Sequence, residues 1–162
     1  MYKLKTKFYL KLILFLSFIA LISAYFIENI LGYQPCKLCM IERIPYGLSI
    51  ILITAIFIVK KNETFFILLL ILTFIFSISI TIYHFGIEQG FFEESLVCSI
   101  KDLSEIVTKK DVLEQLNKKT ISCKDVTFRI FGLSLTSINM ILNFFLLIIL
   151  INIFIKYEKN KQ

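Results

Sequence analysis

Four stretches of this chain are nearly free of charge and close to the length of a membrane-crossing helix: Phe8–Ile27, Ile44–Val59, Thr64–Tyr83 and Ile130–Ile155. In hydrocarbon every backbone N–H and C=O must find its partner inside the segment, so such runs have to be helical. Crossing takes about 20 residues at ~1.5 Å each. Ile44–Val59 spans only sixteen residues, roughly 24 Å, and falls short. Starting that helix at Cys39 removes the deficit and places Cys39 in its first turn, with Arg43 at the membrane edge. Composition agrees: 57% of the chain is hydrophobic, with 17 phenylalanines and no tryptophan, against about 45–50% in an ordinary soluble domain.

The expectation is an all-α, integral membrane four-transmembrane-helix bundle forming a single domain over 1–162. Its helices run at about 8–27, 39–59, 64–83 and 130–155, and its loops at about 28–38 and 84–129. The first run follows Lys3, Lys5 and Lys7, as a signal peptide would. It is longer than the usual ~7–15-residue apolar region and lacks a clear small-x-small cleavage site, so it reads as a retained helix.

A net charge of +6 raises the question of nucleic acid, which the distribution of the charges excludes. The bases do not form a stripe among aromatics; they punctuate the ends of the apolar runs. Lys3, Lys5, Lys7, Lys11, Lys60, Lys61, Lys156, Lys159 and Lys161 flank one side, against only Glu63 and Glu158. The positive-inside rule assigns that side, with both termini, to the cytoplasm. The two longer loops then face outward, and they hold all four cysteines: Cys36, Cys39, Cys98 and Cys123. An even cysteine count on an oxidising face reads as two disulfides. Within the second loop, 101–119 carries Leu103, Ile106, Val107, Val112, Leu113 and Leu116 near helical spacing, suited to lying on the membrane surface or packing on its own loop.

Three chemistries compete for the cysteines. A structural zinc site would draw on the C-x-x-C, the other two cysteines and His84, although Cys98 and Cys123 lack the short spacing of a strong zinc motif. A scaffold with stapled outer loops suits Cys98 and Cys123. It suits Cys36 and Cys39 poorly, because closing so small a ring removes little unfolded-chain entropy. Redox catalysis suits the C-x-x-C best. The thiolate is the attacking species, and Cys39 in a first helical turn lies near unsatisfied N–H groups and the positive dipole end. Arg43 lies at i+4 from Cys39, on the same face, as a charge favouring thiolate or as a snorkelling flank; Glu42 is a candidate partner for it. His84 and Glu88 form a further i, i+4 pair at the outer end of the third helix, either functional or a solvated cap.

The stretches "QPCKLCMIER", "YHFGIEQG" and "FRIFGLSLTSIN", with Cys98 and Cys123 between the last two, together resemble the DsbB-type membrane oxidoreductases of bacterial disulfide-bond formation. The resemblance covers most of the chain. It implies a bundle in the bacterial inner membrane, with its cysteines on the periplasmic face, that reoxidises a periplasmic DsbA-like thiol oxidase. Electrons would pass to a membrane quinone (ubiquinone or menaquinone). Carried over by position, Cys98 and Cys123 form the disulfide that meets the partner, and Cys36 and Cys39 the one that meets the quinone. Cys39 stands next to the ring, Arg43 contacts a quinone oxygen, and His84 lies near the same ring. Such a partner has a potential of about −120 mV, and ~30 mV is worth ~1.4 kcal/mol for two electrons, so the acceptor must be at least as oxidising. Ile138 stands where the family often has tryptophan, and the loop between Cys98 and Cys123 is lysine-rich. The vitamin K epoxide reductase type also couples outer cysteines to a quinone, but its C-x-x-C follows the other pair, whereas here it comes first.

Overall fold

The computed structural model describes residues 2–59, 62–93, 122–124, 129–130 and 132–159. Cys98 and the 101–119 stretch lie outside them. The order is α1 (Tyr2–Asn29), α2 (Lys37–Ile41), α3 (Ile44–Val59), α4 (Glu63–Glu88), β1 (Arg129–Ile130), β2 (Leu133–Ser134) and α5 (Leu135–Lys159). Among the described residues, four segments are long and apolar enough to cross a membrane: Thr6–Asn29, Lys37–Val59, Glu63–Glu88 and Leu135–Lys159. Phe15, Ile22, Ile51, Ile58, Phe76, Ile141 and Ile148 are among the large side chains that point away from the bundle. An outer surface of that kind is suited to lipid rather than water.

The second crossing departs from the single helix expected over 39–59. It begins at Lys37 and breaks at Glu42 and Arg43 before α3. Pro45 is the physical reason. It has no N–H to donate to the Ile41 carbonyl, and its ring crowds that carbonyl. The chain closes α2 with a tighter bond, Arg43 N–H to the Met40 carbonyl at 3.2 Å.

The fourth crossing starts at Leu135 rather than 130. Arg129 and Ile130 pair with Ser134 and Leu133 in a two-residue ladder, which turns through Gly132 at φ +83°. Ser134 then accepts the Ser137 N–H at 3.1 Å, the bond of an N-cap to the third helical residue.

The four crossings pack around a core that includes Ile13, Tyr46, Ile53, Leu70, Phe74, Leu146 and Leu150, all buried. α4 packs extensively along α5, and α3 sits between α1 and α4, whereas α1 and α5 meet only sparsely. Small polar groups lie buried within the bundle. Ser49 donates to Ser17 at 2.9 Å, and Asn143 donates to Thr81 at 3.3 Å. Lipid tails are as apolar as leucine, so membrane helices gain from such contacts what hydrophobicity does not supply.

The C-terminal end of α4 is fixed by a Schellman motif. Phe91 N–H bonds the Gly86 carbonyl at 2.8 Å and Gly90 N–H bonds the Ile87 carbonyl at 3.0 Å, with Gly90 left-handed at φ +78°. Gly86 leaves room for the ring of Phe92, which a Cβ there would meet at 2.2 Å; that ring stacks on Tyr83. Gly90→Ala forces a side chain into the left-handed region at a cost of about 1 kcal/mol. It should lower the thermal unfolding midpoint in detergent; an unchanged midpoint would show that this helix end does not depend on the glycine.

Candidate functional site

The site forms where the α2–α3 break meets the C-terminal end of α4 and the N-terminal end of α5. Cys36 is the N-cap of α2, in extended backbone geometry (φ −69°, ψ 167°), and its Sγ accepts the Cys39 N–H at 3.2 Å. Spacing alone assigns the helix-start advantage to Cys39; the folded chain assigns it to Cys36. Both carry free thiols, so of the two disulfides expected this pair is seen as its reduced, dithiol form.

His84 reaches Cys36 from α4. It is 2% exposed, with Nε2 3.5 Å from Cys36 Sγ and Nδ1 2.7 Å from Glu42 Oε1. It is therefore no solvated cap. A carboxylate facing Nδ1 accepts a hydrogen bond from that nitrogen, which fixes how the ring is turned toward the sulfur. Glu42 is 6% exposed, and its second oxygen accepts from Asn139 Nδ2 at 2.7 Å. Asn139 Oδ1 in turn accepts from the Tyr46 hydroxyl at 2.5 Å. A buried carboxylate is costly unless paired and hydrogen-bonded, and here both oxygens are used.

Glu88 does not pair with His84 as the spacing suggested. Thr136 donates to its Oε1 at 2.6 Å and Ser134 to its Oε2 at 2.7 Å. Thr136 Oγ1 also lies 3.4 Å from His84 Nδ1, linking the two acids. Arg43 does not pair with Glu42. It meets Glu28 Oε2 at 2.5 Å, and its guanidinium lies 5.1 Å from the centre of the Tyr25 ring. Two adjacent residues thus serve opposite purposes: Glu42 braces the histidine, while Arg43 ties the C-terminal end of α1 to the break.

A cavity of about 430 Å³ opens beside this network. Cys36, Cys39, Glu42, Arg43, Tyr46 and His84 line its polar part. Leu16, Ile19 and Ala20 of α1 and Ile138, Asn139 and Leu142 of α5 form its walls, at the seam where those helices meet sparsely. A mostly apolar hollow with a few convergent polar groups is the usual form of a small-molecule site. Cys123 lines the same cavity. It is disulfide-bonded, buried, and packed in one cluster with Cys36, Leu38 and Ile87. Cys36, Cys39, Arg43, His84 and Cys123 are thereby brought together, while Cys98 is outside the described residues.

Glu42, Tyr46, Thr136 and Asn139 were not singled out as site residues from sequence. A signal did exist: Thr136, Asn139 and Asn143 recur at i, i+3 and i+7 in an otherwise apolar crossing, and polar groups in such helices face the interior.

The hydrogen bond from Cys39 stabilises the Cys36 thiolate, and His84 adds to it. Together they outweigh burial and hold the thiol well below its ordinary range, at about 5. The depressed value means that thiolate is present at neutral pH and is lost only as pH falls through about 5. Alkylation of Cys36 in the dithiol form, read by peptide mass spectrometry, should change little between about pH 8 and pH 6.5, and His84→Gln should move its midpoint upward. A rate falling steadily below about pH 8.5, as for a free thiol, would show that the network does not stabilise the anion.

The comparisons with known proteins agree in kind. A family model described as "Disulfide bond formation protein DsbB" matches residues 6–153. A relative from Rickettsia prowazekii (strain Madrid E), "Uncharacterized protein RP370", is 32% identical over 149 residues, covering 91% of this chain and 86% of its own.

Proposed function

The chain belongs to the disulfide bond formation protein DsbB family, and from that premise we propose that it is a thiol:quinone oxidoreductase sustaining protein disulfide formation. Membership makes it an oxidoreductase of disulfide formation in a membrane; the acceptor, the partner and the residue roles are our reading. The observation that carries it is the buried Cys36–His84–Glu42 row opening onto an apolar cavity at the end of the bundle.

A quinone ring fits the residues present. The hollow has apolar walls from α1 and α5, donors at one end, and a volume within the ~300–1,000 Å³ typical of ligand sites. Arg43 and His84 would hold the ring. A quinone bound there supplies an acceptor for two electrons and two protons. The chain's own groups do the rest. Cys98 and Cys123 take electrons from a periplasmic, DsbA-like dithiol: a partner thiolate attacks their disulfide, a mixed disulfide forms, and the partner leaves oxidised with Cys98 and Cys123 as thiols. Those thiols then reduce the Cys36–Cys39 disulfide by the same exchange, supported by the burial of Cys123 in one cluster with Cys36. The resulting dithiol gives up two electrons and two protons as its disulfide re-forms, with Cys39 facing the acceptor. His84 holds or passes a proton at Nε2, beside Cys36, and Glu42 keeps the imidazole oriented. Both termini lie in the cytoplasm and the cysteines on the periplasmic face of the inner membrane.

Turnover is measured as quinone-dependent oxidation of a reduced thioredoxin-like partner by detergent-purified protein. Cys39→Ala should abolish quinone reduction. Cys98→Ala should block transfer from the partner while leaving Cys36 and Cys39 oxidisable by quinone, and Arg43→Ala should raise the apparent KM for quinone. If Cys39→Ala and Cys98→Ala both keep full turnover, the oxidoreductase reading fails and a stapled scaffold replaces it.

A further inference from the structure

We infer that the dithiol form of this site is also a zinc site, built from Cys36 Sγ, Cys39 Sγ and His84 Nε2, which is dismantled whenever Cys36 and Cys39 join. The three ligand atoms lie within 4.8 Å of one another. A tetrahedral zinc ion with Zn–S near 2.3 Å and Zn–N near 2.0–2.1 Å sets its sulfur and nitrogen ligands roughly 3.5 Å apart and its two sulfurs roughly 3.8 Å apart. Cys36 Sγ and His84 Nε2 already stand at 3.5 Å. Cys39 Sγ lies within 4.8 Å of both, so a shift of about 1 Å completes the triangle.

The surroundings suit a metal as well as a thiol. His84 gives its other nitrogen to Glu42 at 2.7 Å, the carboxylate–histidine arrangement that orients metal-bound imidazoles and raises their basicity. Asn139 fixes that carboxylate in turn. Two thiolates and a neutral imidazole cancel the charge of Zn²⁺, leaving only the Glu42 carboxylate, whose oxygens His84 and Asn139 already hold, so the metal itself adds no uncompensated charge. Sulfur and imidazole donors favour zinc over magnesium or calcium. The fourth position faces the cavity, where water completes the shell as in three-ligand zinc centres.

Binding is an exchange of protons for metal: Zn²⁺ replaces whatever protons the two sulfurs and His84 Nε2 still carry and releases them, with no change of oxidation state. Because both sulfurs are consumed when the disulfide forms, metal and disulfide exclude each other. Zinc would therefore hold the centre reduced and stop electron flow. This site differs from a cage of four cysteines, since neither Cys98 nor Cys123 takes part, and it does not depend on which acceptor the protein uses.

The test uses the full chain in detergent, prepared as the dithiol with a phosphine reductant or as the disulfide, then dialysed against zinc chloride and analysed for bound metal. The dithiol form should hold about one zinc per chain and the disulfide form almost none. Zinc should also protect Cys36 and Cys39 from alkylation. Cys98→Ser combined with Cys123→Ser should retain the metal, and Glu42→Gln should weaken binding roughly 10–100-fold. Equal uptake by both forms, no uptake by the dithiol, or uptake lost in the Cys98→Ser, Cys123→Ser variant would each overturn the assignment. None of these readouts requires turnover, so they stand or fall separately from the oxidoreductase reading.

Discussion

The buried contact between Glu42 and His84 is the constraint around which the cysteine-bearing end of the bundle is arranged. A carboxylate and an imidazole shielded from water are tolerable only when each satisfies the other and their remaining lone pairs and protons are used. Meeting that demand recruits α5 through Asn139, and α3 through Tyr46, while Thr136 lies against His84 Nδ1 at 3.4 Å. The same contact turns the ring toward Cys36. One bond therefore both joins α4 to the α2–α3 break and delivers a nitrogen to a sulfur.

Glu42 and Arg43, the two residues of the break between α2 and α3, part company. Neighbours on a helix already leave the axis about 100° apart. Here the turn imposed by Pro45 sends one side chain inward to the histidine and lets the other reach Glu28 and Tyr25 on α1. Chemistry and architecture are thus divided between two consecutive residues.

The crossings were legible in the sequence because hydrocarbon imposes a length and a polarity that few other pressures imitate. Their ends were less so. Pro45 was visible but not used, which merged α2 with α3, and the short ladder before α5 depends on a pairing that a run of apolar residues conceals. Cys36, Cys39, Arg43 and His84 could be named because their types are rare in such a chain. The brace behind them could not: Glu42, His84 and Asn139 are more than forty positions apart in sequence and meet only once the helices have packed. Local spacing accordingly suggested His84 with Glu88 and Arg43 with Glu42, and tertiary packing overruled both.

The sparse meeting of α1 with α5 carries a further implication for how occupancy of the hollow must be understood. A molecule sliding in between those helices arrives from an oily sheet, where its abundance is counted per lipid and not per litre of buffer. Saturation would then track partitioning, tail length and the amount of detergent or membrane present, and two laboratories using identical aqueous doses could obtain very different half-saturation points from the same protein.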